Sequence, residues 1–137
     1  MGIGAFRVSS PIFPRFTHPE AGYGLEDLPE GETVRILLAR VYDYRECHNI
    51  RLSFHPDQFI TISSPRSKVV DSSVRELEYQ GLVAELMGAN VINVHGGGAF
   101  GDKLAALKRF RVNFGRLSER VRRRLTLEND DRLRRAV

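Results

Sequence analysis

Cysteine and long hydrophobic segments are both scarce in this sequence, and each shortage excludes a class of protein. Cys47 is the single cysteine among 137 residues, so neither an internal disulfide nor a cysteine-rich zinc site can form. The longest apolar run covers residues 36–39, whereas a helix that spans a bilayer needs about 20 such residues. The first residues have neither the basic nor the apolar region of a secretory signal. We therefore expect a cytoplasmic protein with no membrane partner and no disulfide-linked partner.

Internal repeats and low-complexity tracts are absent too, and the composition is that of an ordinary folded domain. Hydrophobic residues make up 42% of the chain and charged residues 28%, close to the average of soluble globular proteins. A length of 137 residues suits one domain. We therefore expect residues 1–137 to form a single folded domain.

Charge is unevenly distributed along the chain. Residues 1–102 carry 9 basic and 13 acidic side chains, a balance of −4, whereas residues 103–137 carry 12 basic and 4 acidic ones, a balance of +8. A basic segment of this kind can contact the phosphates of a nucleic acid. It can equally be the solvated face of a helix, and composition alone does not separate these two interpretations.

Hydrophobic periodicity predicts an alternation of strands and helices. Short runs with period two predict four strands, at residues 6–9, 50–55, 90–95 and 124–129. Apolar positions at helical spacing predict three helices, at residues 33–47, 73–87 and 103–122. Ser73 and Glu76 form a capping-box pattern at the start of the second helix. This order predicts parallel strands joined by right-handed helical crossovers.

The side chains within each strand divide into an apolar face and a polar face. Leu52 and Phe54 point to one side of their strand, and Ser53 and His55 point to the other. A doubly wound sheet, covered by helices on both faces, would have almost continuously apolar strands. The polar face instead suits the inside of a closed barrel. The alternation of strands and helices predicts an α/β fold. Because four strands fill the chain and a complete TIM (β/α)8 barrel has about 250 residues, we predict a partial TIM barrel of about four parallel strands and three helices.

Three residues that can bind a metal end successive strands on the polar face. His55, His95 and Glu128 are separated by 40 and 33 residues, each the length of one strand–helix unit. In an α/β barrel these side chains would lie together at the rim that holds the active site. Two imidazoles and a carboxylate are suitable ligands of a divalent transition metal. A single histidine at a strand end is more often structural, but three such residues in register favour a metal centre.

The loops that follow these strands contain further candidates, each with a structural alternative. Residues 96–98 are three glycines, and with Asp102 and Lys103 at the start of the next helix they could bind an anion. A structural turn explains the glycines equally well. Gln58 and Phe59 could read and stack on a nucleobase, although packing of Phe59 into the barrel rim is the more frequent outcome.

Four blocks of the sequence resemble the UV damage endonuclease family, which is related to endonuclease IV. The blocks are residues 6–10 with Phe13, Pro14 and His18, then residues 53–59, 93–103 and 125–131. The resemblance implies a TIM barrel with a cluster of divalent metals at its rim, often manganese, with zinc, magnesium and cobalt as alternatives. It also implies an enzyme that acts on the nucleoid and nicks duplex DNA immediately 5′ of UV photoproducts, with abasic sites also cut.

The resemblance further implies roles for individual side chains. His55, His95 and Glu128 correspond to metal ligands, and Glu128, which would bridge two metals, is the candidate catalytic residue. Gln58 and Phe59 correspond to the pair that enters the duplex opposite the lesion.

Two further DNA contacts are less central to the resemblance. His18 matches a histidine near the site, and we add Lys103, at the start of the third predicted helix, as a contact to DNA. The sequence departs from the family at Phe59, where many members have tyrosine, and at Pro11, where an acidic residue is common.

The family pattern also includes elements that this sequence does not contain. These are a strand before Phe6 and later strands with further His, Asp and Glu ligands. We therefore expect the front-central part of such an endonuclease, with little or no nicking activity on its own. Two alternatives stay open: a metal-dependent sugar isomerase of the same barrel superfamily, and a non-catalytic fragment that binds metal or DNA. The basic segment and the loop with Gln58 and Phe59 argue against the isomerase.

Overall fold

Strands and helices alternate along residues 2–128, the part of the chain that the computed structural model describes. The strands are Ala5–Val8 (β1), Arg51–Phe54 (β2), Val91–His95 (β3) and Leu125–Glu128 (β4). The helices are Gly31–Cys47 (α1), Ser67–Leu86 (α2), Lys103–Phe114 (α3) and Glu119–Arg122 (α4), and a short 3-10 turn, Leu25–Asp27, precedes α1. None of these helices combines the length and the apolar character that crossing a membrane requires.

The four strands form one parallel sheet in the order β1-β2-β3-β4. Each strand pairs with its neighbour in sequence, and helices provide the crossovers between them. The register places Phe54 beside Ile92 and His95 beside Glu128. The prediction of four parallel strands with helical crossovers is therefore confirmed.

The apolar face of this sheet is the core of the domain. Leu52, Phe54, Ile92 and Val94 are at most 5% exposed. They form one hydrophobic cluster with the buried side of α2, which contributes Leu77, Val83 and Ala84. On the opposite face, none of Ser53, Asn93 and Thr126 is buried. The predicted division of the strands into two faces is confirmed, and the arrangement is that of four consecutive TIM-barrel strands with the helices that connect them.

The third predicted helix is two helices, so the chain has four helices among its described residues rather than three. We predicted one helix over residues 103–122, but α3 ends at Phe114 and α4 begins at Glu119. Between them, the Ser118 N–H and hydroxyl both donate to the Glu78 carboxylate of α2, each at 2.7 Å. Leu117 is buried at 2% exposure. The chain bends because these contacts with α2 are available only if the helix stops.

The second predicted helix begins earlier than its capping pattern indicated. Helix α2 starts at Ser67, so Ser73 and Glu76 lie inside the helix and do not cap it. Ser73 is 1% exposed, and its hydroxyl accepts the Thr61 N–H at 2.8 Å. The prediction was wrong because the Ser73 hydroxyl bonds the loop after β2 instead of a helix terminus, and the actual start at Ser67 has no side-chain cap to mark it.

The remaining boundaries differ little from the predictions. Strand β4 begins at Leu125, one residue later than predicted. Its predicted end at Asn129 lies outside the described residues, as do Asp130 and Asp131 of the fourth family-like block.

Candidate metal centre

The carboxyl ends of three strands bring two imidazoles and one carboxylate together. His55 follows β2 directly, His95 is the last residue of β3, and Glu128 is the last residue of β4. One nitrogen or oxygen atom of each side chain lies within 4.8 Å of the other two. We call this edge of the sheet the rim. The three side chains therefore lie together at the rim, as the sequence predicted.

One carboxylate oxygen is close to both imidazoles. His55 Nε2 lies 2.7 Å from Glu128 Oε2, and His95 Nδ1 lies 3.7 Å from the same oxygen. The two imidazole rings are nearly perpendicular, with centroids 4.9 Å apart. The side chains of His55 and His95 are 22% and 21% exposed, and that of Glu128 is 44% exposed. The centre is therefore compact but open to a ligand from solvent.

The donor atoms of this centre fit a divalent metal ion. Imidazole and carboxylate ligands bind such an ion at about 2.0–2.2 Å, so two ligands of one ion lie at most about 4.4 Å apart. The two distances to Glu128 Oε2 already fall in that range. Nitrogen and oxygen donors of this kind suit manganese, zinc, iron and cobalt.

Two polar residues below the rim orient the carboxylate. The Thr126 hydroxyl donates to Asn93 Oδ1 at 3.0 Å, which turns the amide NH2 of Asn93 toward Glu128. Asn93 Nδ2 then donates to Glu128 Oε2 at 3.4 Å. Our sequence reasoning assigned neither residue a role. The signal was available, because each stands two positions before a candidate ligand and shares its strand face.

The loop after β2 presents the two residues that resemble the lesion-probing pair. Asp57 closes a tight turn, since its side chain accepts the Phe59 N–H and its carbonyl accepts the Ile60 N–H, both at 2.9 Å. Gln58 and Phe59 are both exposed, and Phe59 reaches 75% exposure. The alternative that Phe59 packs into the barrel rim is therefore wrong within the part of the chain that the structure describes.

The glycines after His95 have a structural role in at least one position. Gly97 has a φ of +76°, and a Cβ there would lie 2.6 Å from Ser63 Oγ and 2.7 Å from Thr61 Cγ2. This glycine lets the loop after β3 pack directly against the loop after β2. The Ser63 hydroxyl also donates a hydrogen bond to the Gly96 carbonyl, at 3.4 Å.

At the start of α3, where an anion site was predicted, a carboxylate of the protein itself caps the helix. Asp102 is the N-cap of α3, and its side chain accepts the Ala105 N–H at 3.0 Å. A carboxylate at this position satisfies the helix terminus that an external anion would use. Lys103 is exposed in the first turn of α3. Its predicted contact with DNA stays a prediction.

His18 does not join the three ligands. Its Nδ1 accepts the N–H groups of Glu20 and Ala21, at 3.2 and 3.1 Å, and the side chain closes its own exposed turn. The group of candidate ligand atoms found among the described residues does not include it. A role for His18 near the site stays a prediction.

Comparisons with known proteins identify relatives over nearly the whole chain. A family model described as UV-endonuclease UvdE matches residues 1–134. The chain is 40% identical over 135 residues to the UV DNA damage endonuclease of Bacillus velezensis, covering 96% of this chain and 40% of that protein. It is 41% identical over 137 residues to the UV-damage endonuclease of Schizosaccharomyces pombe, covering 95% of this chain and 22% of that protein.

A solved structure shows the same fold. The crystal structure of SacUVDE superimposes with a TM-score of 0.85 and 33% sequence identity, over 96% of this chain and 44% of that one. The chain thus spans about two fifths of the length of the bacterial relative and less than half of the structural one.

Proposed function

The chain belongs to the UV-endonuclease UvdE family, as its sequence blocks predicted, and from this we propose that its metal centre serves the hydrolysis of a phosphodiester bond in UV-damaged duplex DNA. The observation that carries the proposal is the convergence of His55, His95 and Glu128 at the rim. The proposed cut lies immediately 5′ of a UV photoproduct, and abasic sites are proposed as further substrates. The family match favours this reaction over that of a sugar isomerase.

The three converging residues would hold the metal. We propose manganese first, as the family resemblance implies, with zinc, magnesium and cobalt as alternatives. The donor set of two imidazoles and a carboxylate is suitable for divalent metals of this kind. When bound, such an ion supplies positive charge at the phosphate and acidifies a water molecule. Glu128 is the proposed catalytic and bridging residue, since one of its oxygens already faces both histidines.

The protein's own side chains keep this centre ready for an ion. The Asn93 amide donates to Glu128 Oε2 and holds the carboxylate toward the two imidazoles. Thr126 fixes the orientation of that amide. Hydrogen bonds of this kind around metal ligands set ligand orientation and basicity. Because the centre is only half-buried, a phosphate of a DNA duplex can approach it.

We propose that the exposed pair beside the centre recognises the lesion. Gln58 and Phe59 follow His55 by three and four residues, and the turn closed by Asp57 projects them into solvent. An exposed aromatic ring can stack on a base at a gain of about 1–3 kcal/mol. His18 and Lys103 are proposed as additional DNA contacts. The proposed site of action is the cytoplasm, on the nucleoid.

The 137-residue chain by itself is expected to nick DNA weakly. The described residues supply one group of three candidate ligands, which suffices for about one ion. Phosphodiester hydrolysis at a multi-metal centre requires both an activated water and a stabilised leaving oxygen. Robust incision of an irradiated plasmid by the purified chain would contradict this expectation.

The ligand assignment is tested by Mn²⁺ binding to the wild-type chain and to two variants. His95→Ala is expected to weaken Mn²⁺ binding at least about tenfold, because a direct ligand is lost. His48→Ala is the matched control, since His48 is an exposed histidine that stacks on Tyr44 at the end of α1. Isothermal titration calorimetry measures both. An unchanged affinity and stoichiometry in His95→Ala would show that this histidine is no ligand.

A further inference from the structure

One buried side chain of α2 fixes the loop that joins β1 to α1, residues 9–30. Tyr79 is 4% exposed. Its hydroxyl accepts the Phe13 N–H at 3.0 Å and donates to the Ser10 carbonyl at 3.1 Å. One hydroxyl therefore satisfies two main-chain groups of a segment that is far away in sequence. A loop held at both groups cannot move without breaking two hydrogen bonds to a buried side chain.

Packing and a second polar contact strengthen the same attachment. The Phe16 ring stacks on Tyr79, with centroids 4.6 Å apart, and Tyr23 meets Phe16 edge-on at 5.3 Å. One helical turn before Tyr79, the Glu76 carboxylate accepts the Thr17 hydroxyl at 2.8 Å. The loop after β1 is thus held by α2 through a hydroxyl, an aromatic stack and a carboxylate.

This loop in turn holds the backbone of a candidate metal ligand. The Ser10 hydroxyl donates to the His55 carbonyl at 2.8 Å. His55 is the first residue after β2, and the described pairing of β2 with β1 and with β3 ends at Phe54. The His55 imidazole reaches Glu128 from this position. A continuous chain of contacts therefore runs from Tyr79 through Ser10 to His55.

We infer that Tyr79 is a positioning residue of the metal centre, acting through Ser10 on the backbone of His55. Tyr79 touches none of the candidate ligand atoms and takes no direct part in metal binding. The inference rests on the proposed function in one respect, namely that His55 binds a metal. Partners of metal ligands commonly change metal affinity about 10–100-fold when removed. Because Ser10 and Tyr79 act on the backbone of His55 and not on its imidazole, each is expected to change metal affinity by less, about three- to tenfold.

A double-mutant cycle tests whether the two residues act in one chain. Tyr79→Phe removes the hydroxyl and keeps the aromatic stack, whereas Ser10→Ala removes only the bond to His55. Each is expected to raise the dissociation constant of Mn²⁺ about three- to tenfold, and the double variant no more than the larger single effect. Ser10→Ala also keeps the test decisive if Tyr79→Phe folds poorly.

The matched control lies one residue away on the same helix. Glu78 accepts two hydrogen bonds from Ser118, so Glu78→Ala removes as many long-range bonds from α2 as Tyr79→Phe does. Glu78→Ala is expected to destabilise the chain while Mn²⁺ affinity stays within about twofold of wild type. Equal losses of affinity in Glu78→Ala and Tyr79→Phe would reduce Tyr79 to a stabilising residue. Additive effects of Tyr79→Phe and Ser10→Ala would also overturn the inference.

A metal-free measurement separates this inference from the proposed function. If wild type binds no Mn²⁺, the proposed metal centre fails, and the ¹⁵N NMR signals of the His55 imidazole then decide the role of Tyr79. These signals are expected to shift in Tyr79→Phe and Ser10→Ala and to stay in place in Glu78→Ala. His55 signals that are unchanged in all three variants would refute positioning by Tyr79.

Discussion

At the scale of single residues, the centre depends on atoms that face one another at short range. Glu128 Oε2 lies within 4 Å of both histidines and accepts a hydrogen bond from the Asn93 amide. Such a carboxylate is held in one orientation before an ion arrives, which lowers the entropic cost of binding. Next to it, Phe59 is held outward rather than buried. Two residue-scale predictions concern the loops around this centre.

Phe59→Ala is expected to weaken binding to irradiated duplex DNA, because the exposed ring is the proposed stacking group. A loss of about 1–3 kcal/mol in binding free energy is expected, and Phe59→Tyr should retain wild-type affinity. Tyr44→Ala is the control, since Tyr44 is 59% exposed on α1. Fluorescence anisotropy with irradiated and unirradiated duplexes measures these affinities. Wild-type discrimination by Phe59→Ala would rule out a role for this ring in lesion recognition.

Gly97→Ala is expected to destabilise the fold more than Gly101→Ala. Both glycines have positive φ, +76° and +82°, so both substitutions introduce backbone strain. A Cβ at Gly97 also collides with Ser63 and Thr61, whereas a Cβ at Gly101 meets nothing within 4 Å. The difference in unfolding free energy, from urea titration, is expected to be about 1–3 kcal/mol. Equal destabilisation would mean that the two loops are not in close contact.

At the scale of elements, α2 organises the domain. It packs on the sheet, and its polar residues hold three separate segments: Ser73 binds the loop after β2, Glu78 binds the start of α4, and Tyr79 binds the loop after β1. No local sequence pattern predicts these three contacts, because each one joins α2 to a segment outside the helix. Helix α2 is therefore both the core helix and the attachment point of the loops at the rim.

The buried Tyr79 hydroxyl makes stability depend on alkaline pH. Burial, opposed by the weaker effect of the Phe13 N–H, raises the pKa of Tyr79 from 10.0 to about 12. The unfolded chain therefore loses this proton first as the pH rises. The stabilisation is complete below pH 10 and is lost between pH 10 and about pH 12.

Urea unfolding across this pH interval, followed by circular dichroism, measures the effect. The free energy of unfolding is expected to decline by at most about 1.4 kcal/mol per pH unit from this group. Tyr79→Phe is expected to be less stable at neutral pH but to lack this component of the decline. Parallel curves for the two proteins would show that Tyr79 does not titrate differently in the folded state.

At the scale of the whole molecule, charge and the edges of the sheet are the dominant features. Helix α3 carries four basic residues and no acidic one, within a segment whose balance is +8 at residues 103–137. On the two outer strands, Phe6 and Leu127 are 58% and 55% exposed although they lie on the apolar face. Strands β1 and β4 each pair on one side only among the described residues.

Affinity for duplex DNA is expected to fall steeply as salt rises from about 50 to 200 mM, since basic residues that contact phosphates release counterions. Irradiated duplex is expected to bind more tightly than unirradiated duplex at every salt concentration, because Gln58 and Phe59 add a contact that phosphate attraction does not provide. Filter binding with both duplexes measures the two effects. Equal affinities at all concentrations would leave only phosphate attraction and refute lesion recognition by this chain.

The amino-acid sequence by itself determined the sheet and the composition of the centre. Strand parity separates Leu52 and Phe54 from His55, and the spacing of one strand–helix unit places His55, His95 and Glu128 on neighbouring strands. Parallel strands all end at the same edge, so three residues at their carboxyl ends must lie close together. This part was predictable because it depends on short-range periodicity and one topological rule.

Only the tertiary structure decided where α2 begins, where the third predicted helix breaks, and that Phe59 faces solvent. The outward position of Phe59 depends on the turn at Asp57. The two helix boundaries depend on contacts between separate segments, Thr61 with Ser73 and Ser118 with Glu78. The bonds that orient Glu128 and the chain from Tyr79 to His55 are of the same kind. A polar side chain has several possible partners of similar energy, and packing of the whole domain selects which one lies within reach.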